Sequence, residues 1–143
     1  MTKKDVLINI RGIYHFENED SNVIELFTTG QYYKKGGEYY ISYEESEATG
    51  FDGSRTTLRV CDEDRVEMQR SGTANSHLII QNGVRHQCQY DMGFGDMMIG
   101  VNGRSIRSTL TDKGGSVEFK YSLDVNSLLA SENEMCVMVK EQG

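Results

Sequence analysis

The chain contains no proline. Average usage of about 5% would put roughly seven in a chain of this length. Proline removes a ladder donor, so its absence suits a chain dominated by paired strands. Cysteine is scarce: Cys61, Cys88 and Cys136 are odd in number, widely spaced and form no CxxC. That excludes a disulfide framework and favours reduced thiols in a cytosolic setting. No apolar run approaches the ~18 residues of a membrane-spanning helix. The first residues, "MTKKDVLINIRG", reach Arg11 after a short mixed stretch and do not read as a secretory leader. Positive charge is also short, with 15 Lys and Arg against 22 Asp and Glu and a net charge of -7. A protein that grips phosphate backbones needs the reverse balance, so we expect no nucleic-acid partner. The expectation is a cytoplasmic protein with no membrane association.

What the chain has is alternation. In "GGSVEFKYSLDVN", Val117, Phe119, Tyr121, Leu123 and Val125 share one face, and Glu118, Lys120, Ser122 and Asp124 the other. A helix cannot use that period; a half-buried strand requires it. The same pattern recurs in Val6/Ile8/Ile10, Tyr39/Ile41/Tyr43, Thr56/Leu58/Val60, Val66/Met68/Arg70 and Met135/Val137/Val139. Between such runs lie turn signals: Lys35-Gly36-Gly37, "DEDR" at 62–65, Asn82-Gly83, Asn102-Gly103 and "TDKGG" at 111–115. Asn-Gly between alternating runs predicts a type I′ hairpin, which needs positive φ at both central residues. The stretch "NSLLASENE" is the one candidate for a helical turn, capped by Asn126 or Ser127.

Successive hairpins pair successive strands antiparallel. The prediction is one domain over residues 1–143, an all-β, antiparallel up-and-down barrel of about 8–10 strands, which also removes exposed edges.

Several constellations have competing readings. Gly36-Gly37 precedes a strand rather than a helix, which favours a turn over a phosphate-binding loop. His86 and Cys88 share a strand face but lack the further ligands of a zinc site, and no acid or oxyanion element joins them as a nucleophile pair. We therefore expect no metal and no cofactor. Met92, Met97, Met98, Met135 and Met138 read as core filling rather than as an adaptable pocket. The acidic groups "FENED" at 16–20 and Glu44/Glu45/Glu47 lack the spacing of a calcium loop and read as solvated loops.

Register singles out one pair. If Tyr39, Ile41 and Tyr43 face inward, Glu45 follows them on that face, as Arg70 follows Val66 and Met68. Strands 38–46, 54–61 and 65–70 run up, down and up. Glu45 and Arg70 then share one barrel end, one strand apart, at roughly 10 Å for ~4.8 Å per step. Tyr90 rises to the same end. Three readings stand side by side: solvated strand ends, a structural ion pair closing the barrel, and a polar cap over an apolar lumen.

"GGEYYISYEES" followed by Gly50, "TTLRV" at 56–60, "VEMQRSG" at 66–72 and "GGSVEFKYSLDV" at 114–125 together resemble the YwiB-like bacterial proteins, a family of unknown function. The resemblance runs from about residue 5 to 141, with the loop "MGFGDMM" at 92–98 departing from the pattern. It implies a small closed barrel of the calycin or lipocalin-like kind in bacterial cytoplasm, and it implies no activity. Tyr43, Glu45, Arg70 and Gly72 fall on the family pattern.

The leading expectation is a non-enzymatic barrel, monomer or homodimer, binding a small amphipathic or apolar ligand. Tyr39, Ile41, Tyr43, Met68 and Tyr121 would line the lumen, with Glu45 and Arg70 capping it and Tyr90 offering a hydroxyl. The alternative is a solid-core interaction or structural module. An enzyme using Glu45 as general base ranks third, because a lone carboxylate lacks a placed partner.

Overall fold

The structure is a computed structural model that describes residues 2–16, 20–47, 51–62, 64–91 and 96–142. Ten strands run in chain order: β1 (Lys4–Phe16), β2 (Asn22–Lys35), β3 (Glu38–Glu44), β4 (Ser54–Val60), β5 (Arg65–Gly72), β6 (Ser76–Gln81), β7 (Arg85–Asp91), β8 (Asp96–Ser108), β9 (Gly114–Val125) and β10 (Leu128–Glu141). Each pairs antiparallel with its neighbours in sequence, and β1 closes on β10, so the sheet is a closed up-and-down barrel. Closure leaves no strand edge.

Alternation sets the inner face as expected. Val6, Ile8 and Ile10 are buried on β1, Leu58 and Val60 on β4, Val66 and Met68 on β5, and Met135, Val137 and Val139 on β10. Cross-strand register stacks these residues in layers. Tyr39, Val60, Val66 and Ile80 form the lower one, and Ile41, Leu58, Met68 and Leu78 the next. The third layer turns polar: Tyr43, Thr56, Arg70, Ser76 and Tyr90.

The lower end is sealed. Tyr32 is fully buried, stacks on Tyr39 with ring centroids 5.3 Å apart, and donates its hydroxyl to the Thr111 carbonyl at 2.7 Å. The Tyr39 hydroxyl donates to Asp112 at 2.6 Å. The β2–β3 turn at this end uses Gly36 and Gly37 at φ 60° and 81°, the left-handed pair that a tight hairpin needs.

Four sequence expectations are corrected. Asn102-Gly103 is not a turn; it lies inside β8, at a register shift between Gly103 and Ser105. Glycine is needed there for approach: a Cβ on Gly103 would sit 2.1 Å from the Gln81 carbonyl, where the β6–β7 turn packs on β8. Gly83 N–H donates to the Gly103 carbonyl at 3.0 Å, fastening that turn. Asn82-Gly83 does join β6 to β7, but only Gly83 has positive φ, so the turn is not type I′. "NSLLASENE" makes no helical turn. Asn126 and Ser127, at φ 53° and 69°, form the β9–β10 hairpin, held by Asp124 accepting from Ser127 N–H at 3.2 Å. The methionines divide: Met135 is buried, Met97, Met98 and Met138 are exposed, and Met92 lies outside the described residues.

Candidate functional site

The barrel has a long wall and a short wall. Strands β1, β2, β8, β9 and β10 run 12 to 14 residues, whereas β3 to β7 run 6 to 8. The long wall overhangs the upper end, and a cavity of about 640 Å³ opens beneath it. That is within the size range of small-molecule sites, about 300–1,000 Å³. Ile10, Met68, Leu78, Ile99 and Met135 supply apolar floor and sides, while Ile24, Leu123 and Val125 line the overhang. Phe16, Val23 and Met97 remain exposed at the rim.

The polar groups concentrate on the short wall. Glu45 and Arg70 have side chains only 2% and 9% exposed, with Arg70 Nη2 3.5 Å from Glu45 Oε1. The strand between them supplies the bridge. Thr56 donates its hydroxyl to Glu45 at 2.6 Å and accepts from Arg70 Nε at 3.3 Å. Phe51, in the loop between β3 and β4, lies over the guanidinium at 3.6 Å from ring centroid to Cζ. Glu45 backbone N–H donates to the Ser54 carbonyl at 2.8 Å, so a backbone bond anchors the carboxylate-bearing residue. Of the three readings of this pair, solvated strand ends are excluded by burial.

Across the lumen, Tyr14, Asn133 and Tyr121 stand opposite one another on β1, β10 and β9. Tyr14 reaches Met135 Sδ at 3.4 Å, a weak acceptor. Burial pushes the Tyr14, Tyr43 and Tyr121 phenols up in pKa; the Arg70 charge opposes this at each, and the Glu45 charge adds to it at Tyr14 and Tyr43. All three therefore stay protonated and able to donate at neutral pH.

Of the residues singled out in the sequence, Tyr43, Glu45, Met68, Arg70, Tyr90 and Tyr121 line this cavity. Tyr39 and Ile41 do not. Tyr39 lies at the sealed end, and Ile41 is packed inside the core with no accessible surface. Tyr14, Thr56 and Phe51 escaped notice as site residues. Two left a trace: Tyr14 is the second inward step after Ile10, and Thr56 heads the Thr56/Leu58/Val60 run. Phe51, in a loop, left none.

His86 and Cys88 do not converge on a shared ligand. His86 Nε2 bonds Gln81 Oε1 at 2.8 Å, and Cys88 Sγ accepts from Ile79 N–H at 3.3 Å. Among the described residues, no group of three or more His, Cys, Asp or Glu could hold a metal ion. Glu44 points outward to Arg55, and Glu47 is exposed.

The family described as "Domain of unknown function (DUF1934)" matches residues 8–137. An "Uncharacterized beta-barrel protein YwiB" from Bacillus subtilis (strain 168) is 30% identical over 109 residues, covering 76% of this chain and 75% of that protein. The crystal structure of ywiB protein from Bacillus subtilis superposes with a TM-score of 0.84 at 24% identity, covering 99% of this chain and 94% of that one. It shares the closed barrel.

Proposed function

The chain belongs to the DUF1934 family, and we propose for it a non-enzymatic role: binding a small amphipathic or apolar molecule in the upper half of the barrel. One observation carries the reading. The lumen is filled at one end and open at the other, and the open half combines a mostly apolar surface with a buried Glu45–Arg70 pair. A solid-core module has no use for a buried ion pair beside a cavity, since desolvating two charges costs several kcal/mol per ion on the order of magnitude. A cavity with few, fixed polar groups is how small-molecule sites orient a ligand. Tyr43, Glu45, Met68, Arg70, Tyr90 and Tyr121 are the proposed contact residues, joined by Tyr14 and Leu123. The architecture is of the calycin or lipocalin-like kind, and that analogy supports ligand binding only at the level of fold.

Nile red, an uncharged apolar dye, tests this. The expected result is saturable binding at one dye per barrel, abolished or strongly weakened by Ala130→Trp, which places a bulky ring at the exposed mouth of the cavity. No saturable binding, with no small molecule retained in native mass spectrometry of protein from its own host, overturns the proposal.

A further inference from the structure

We propose that the ligand carries a carboxylate on an apolar body, with the carboxylate seated on the short wall at Arg70 and the body lying under the long wall. This rests on the cavity reading above and names the ligand class.

Around the lumen, hydrogen-bond donors outnumber the acceptors that meet them. The guanidinium of Arg70 carries more N–H groups than its contacts use. Nε is held by Thr56 and Nη2 approaches Glu45, while Nη1 meets no hydrogen-bond or ion-pair partner among the described residues. Tyr90 and Tyr121 line the same cavity, and neither hydroxyl makes a hydrogen bond among the described residues. Among the described residues, Tyr14 finds only the Met135 sulfur. On the acceptor side, the Glu45 carboxylate is already engaged by Thr56 and Arg70. The cavity therefore has surplus donors around one cation.

The group that satisfies them is acceptor-rich, planar and singly charged. A carboxylate matches the guanidinium fork, and Glu45 has already drawn on part of the Arg70 charge, so a dianionic phosphate would be left undercompensated. The net charge of -7 works against an anion at long range. Screening confines that repulsion to about 8–10 Å at physiological salt, so affinity rests on the contacts inside. Phe51 over Arg70 keeps water from one face of the cation, which strengthens what the other face binds. The apolar sides beneath the overhang, including Leu78, Ile99 and Leu123, fit a hydrocarbon body.

Isothermal titration of the full chain with decanoate, 1-decanol and decylamine decides it. Decanoate should bind at least about tenfold more tightly than decanol, the scale of a hydrogen bond to a charged group, and decylamine should bind weakest. The double substitution Tyr90→Phe and Tyr121→Phe, which keeps shape and the buried ion pair, should erase most of the decanoate advantage and leave decanol nearly unchanged. Arg70→Met should erase it fully where that variant folds. Equal binding of decanoate and decanol, or tighter binding of decylamine, overturns the carboxylate assignment while Nile red binding keeps the cavity reading. The assignment also fails, with the cavity reading intact, if Nile red binds and none of the three does. If neither the dye nor any of the three binds, both fall.

Discussion

At the sealed end of the barrel, Tyr32 stacks on Tyr39 and both phenols end on fixed acceptors, the Thr111 carbonyl and Asp112. At the open end, Tyr90 and Tyr121 line a cavity where none of the described residues receives the same hydroxyl. The residue type is shared and the hydrogen-bond accounting is opposite. Buried polar groups are ordinarily paired, so the tyrosines below read as structure and those above as a surface prepared for another molecule. The ion pairs divide in the same way. Those of the outer wall, such as Arg59 between Glu38 and Glu67, stay in partial contact with water and contribute little each. Glu45–Arg70 is almost fully withdrawn from water.

The largest effect expected from breaking this contrast comes from Arg70→Met. It leaves the Glu45 carboxylate buried without its cation, a loss of about 3–5 kcal/mol, read as a lower urea midpoint at unchanged slope. Combining it with Glu45→Leu should recover most of that loss. If the double variant is as stable as the parent or more so, the pair is there for something other than stability. A double variant as unstable as Arg70→Met alone would instead make the pair a structural closure.

Next in size is a matched pair of truncations in β6. Ile80 is fully buried in the sealed half, so Ile80→Ala opens a new void and should cost about 2–5 kcal/mol. Leu78, two residues earlier on the same face, already borders the cavity. Leu78→Ala enlarges an existing space and should cost less than Ile80→Ala in the same chemical denaturation series. Equal costs would mean that the upper half is as tightly packed as the lower.

A smaller effect, about 1 kcal/mol, is expected for Tyr32→Phe, which removes the hydroxyl donated to Thr111 and leaves the ring stack in place. Tyr121→Phe removes a hydroxyl with no partner among the described residues and should leave stability unchanged or raise it. Thermal melts of the two variants compare the ends with one atom deleted from each.

The barrel was legible in the sequence because its inner face is written in period two. Val117, Phe119 and Tyr121 could not be mistaken for a helix. Where both faces carry apolar side chains, the signal blurred. The upper part of β2 puts Val23 and Phe27 outward, and the start of β10 exposes Leu128 and Leu129, which read as a helical turn. Asn102-Gly103 misled for a different reason. Glycine was read as a turn former, but here it serves close contact with a strand turn far away in sequence. The Glu45–Arg70 neighbourhood was legible because register fixes which side chains share a level, and Thr56 supplied the missing rung. The cavity was not. It depends on unequal strand lengths around the barrel, which no local pattern announces, and on a loop residue, Phe51, that has no period to read.

The lumen of the open end differs from the clamp outside it, where polar groups are paired with one another. Asp124 faces outward from β9 and accepts from Arg85 Nη2 at 2.7 Å and Nε at 3.0 Å, from Asn102 Nδ2 at 3.0 Å and from Ser127 N–H at 3.2 Å. It ties β7 and β8 to the hairpin that completes the long wall. The Arg85 hydrogen bonds foremost hold its pKa at about 2, against an ordinary value of 3.8. A carboxylate depressed in the folded state adds stability that is complete above its unfolded pKa and is lost as the pH falls through the folded one. Its contribution should therefore be present above about pH 4 and disappear progressively toward pH 2, a window set by those two values. Asp124→Asn should lower the melting temperature at neutral pH and flatten the acid limb of the stability curve in that window. Nile red binding at neutral pH should be preserved, because the carboxylate does not line the cavity. If the acid limb keeps its slope in Asp124→Asn, other carboxylates govern it. If dye binding falls together with stability, the overhang depends on this clamp, and the long wall and the cavity beneath it are one mechanical unit.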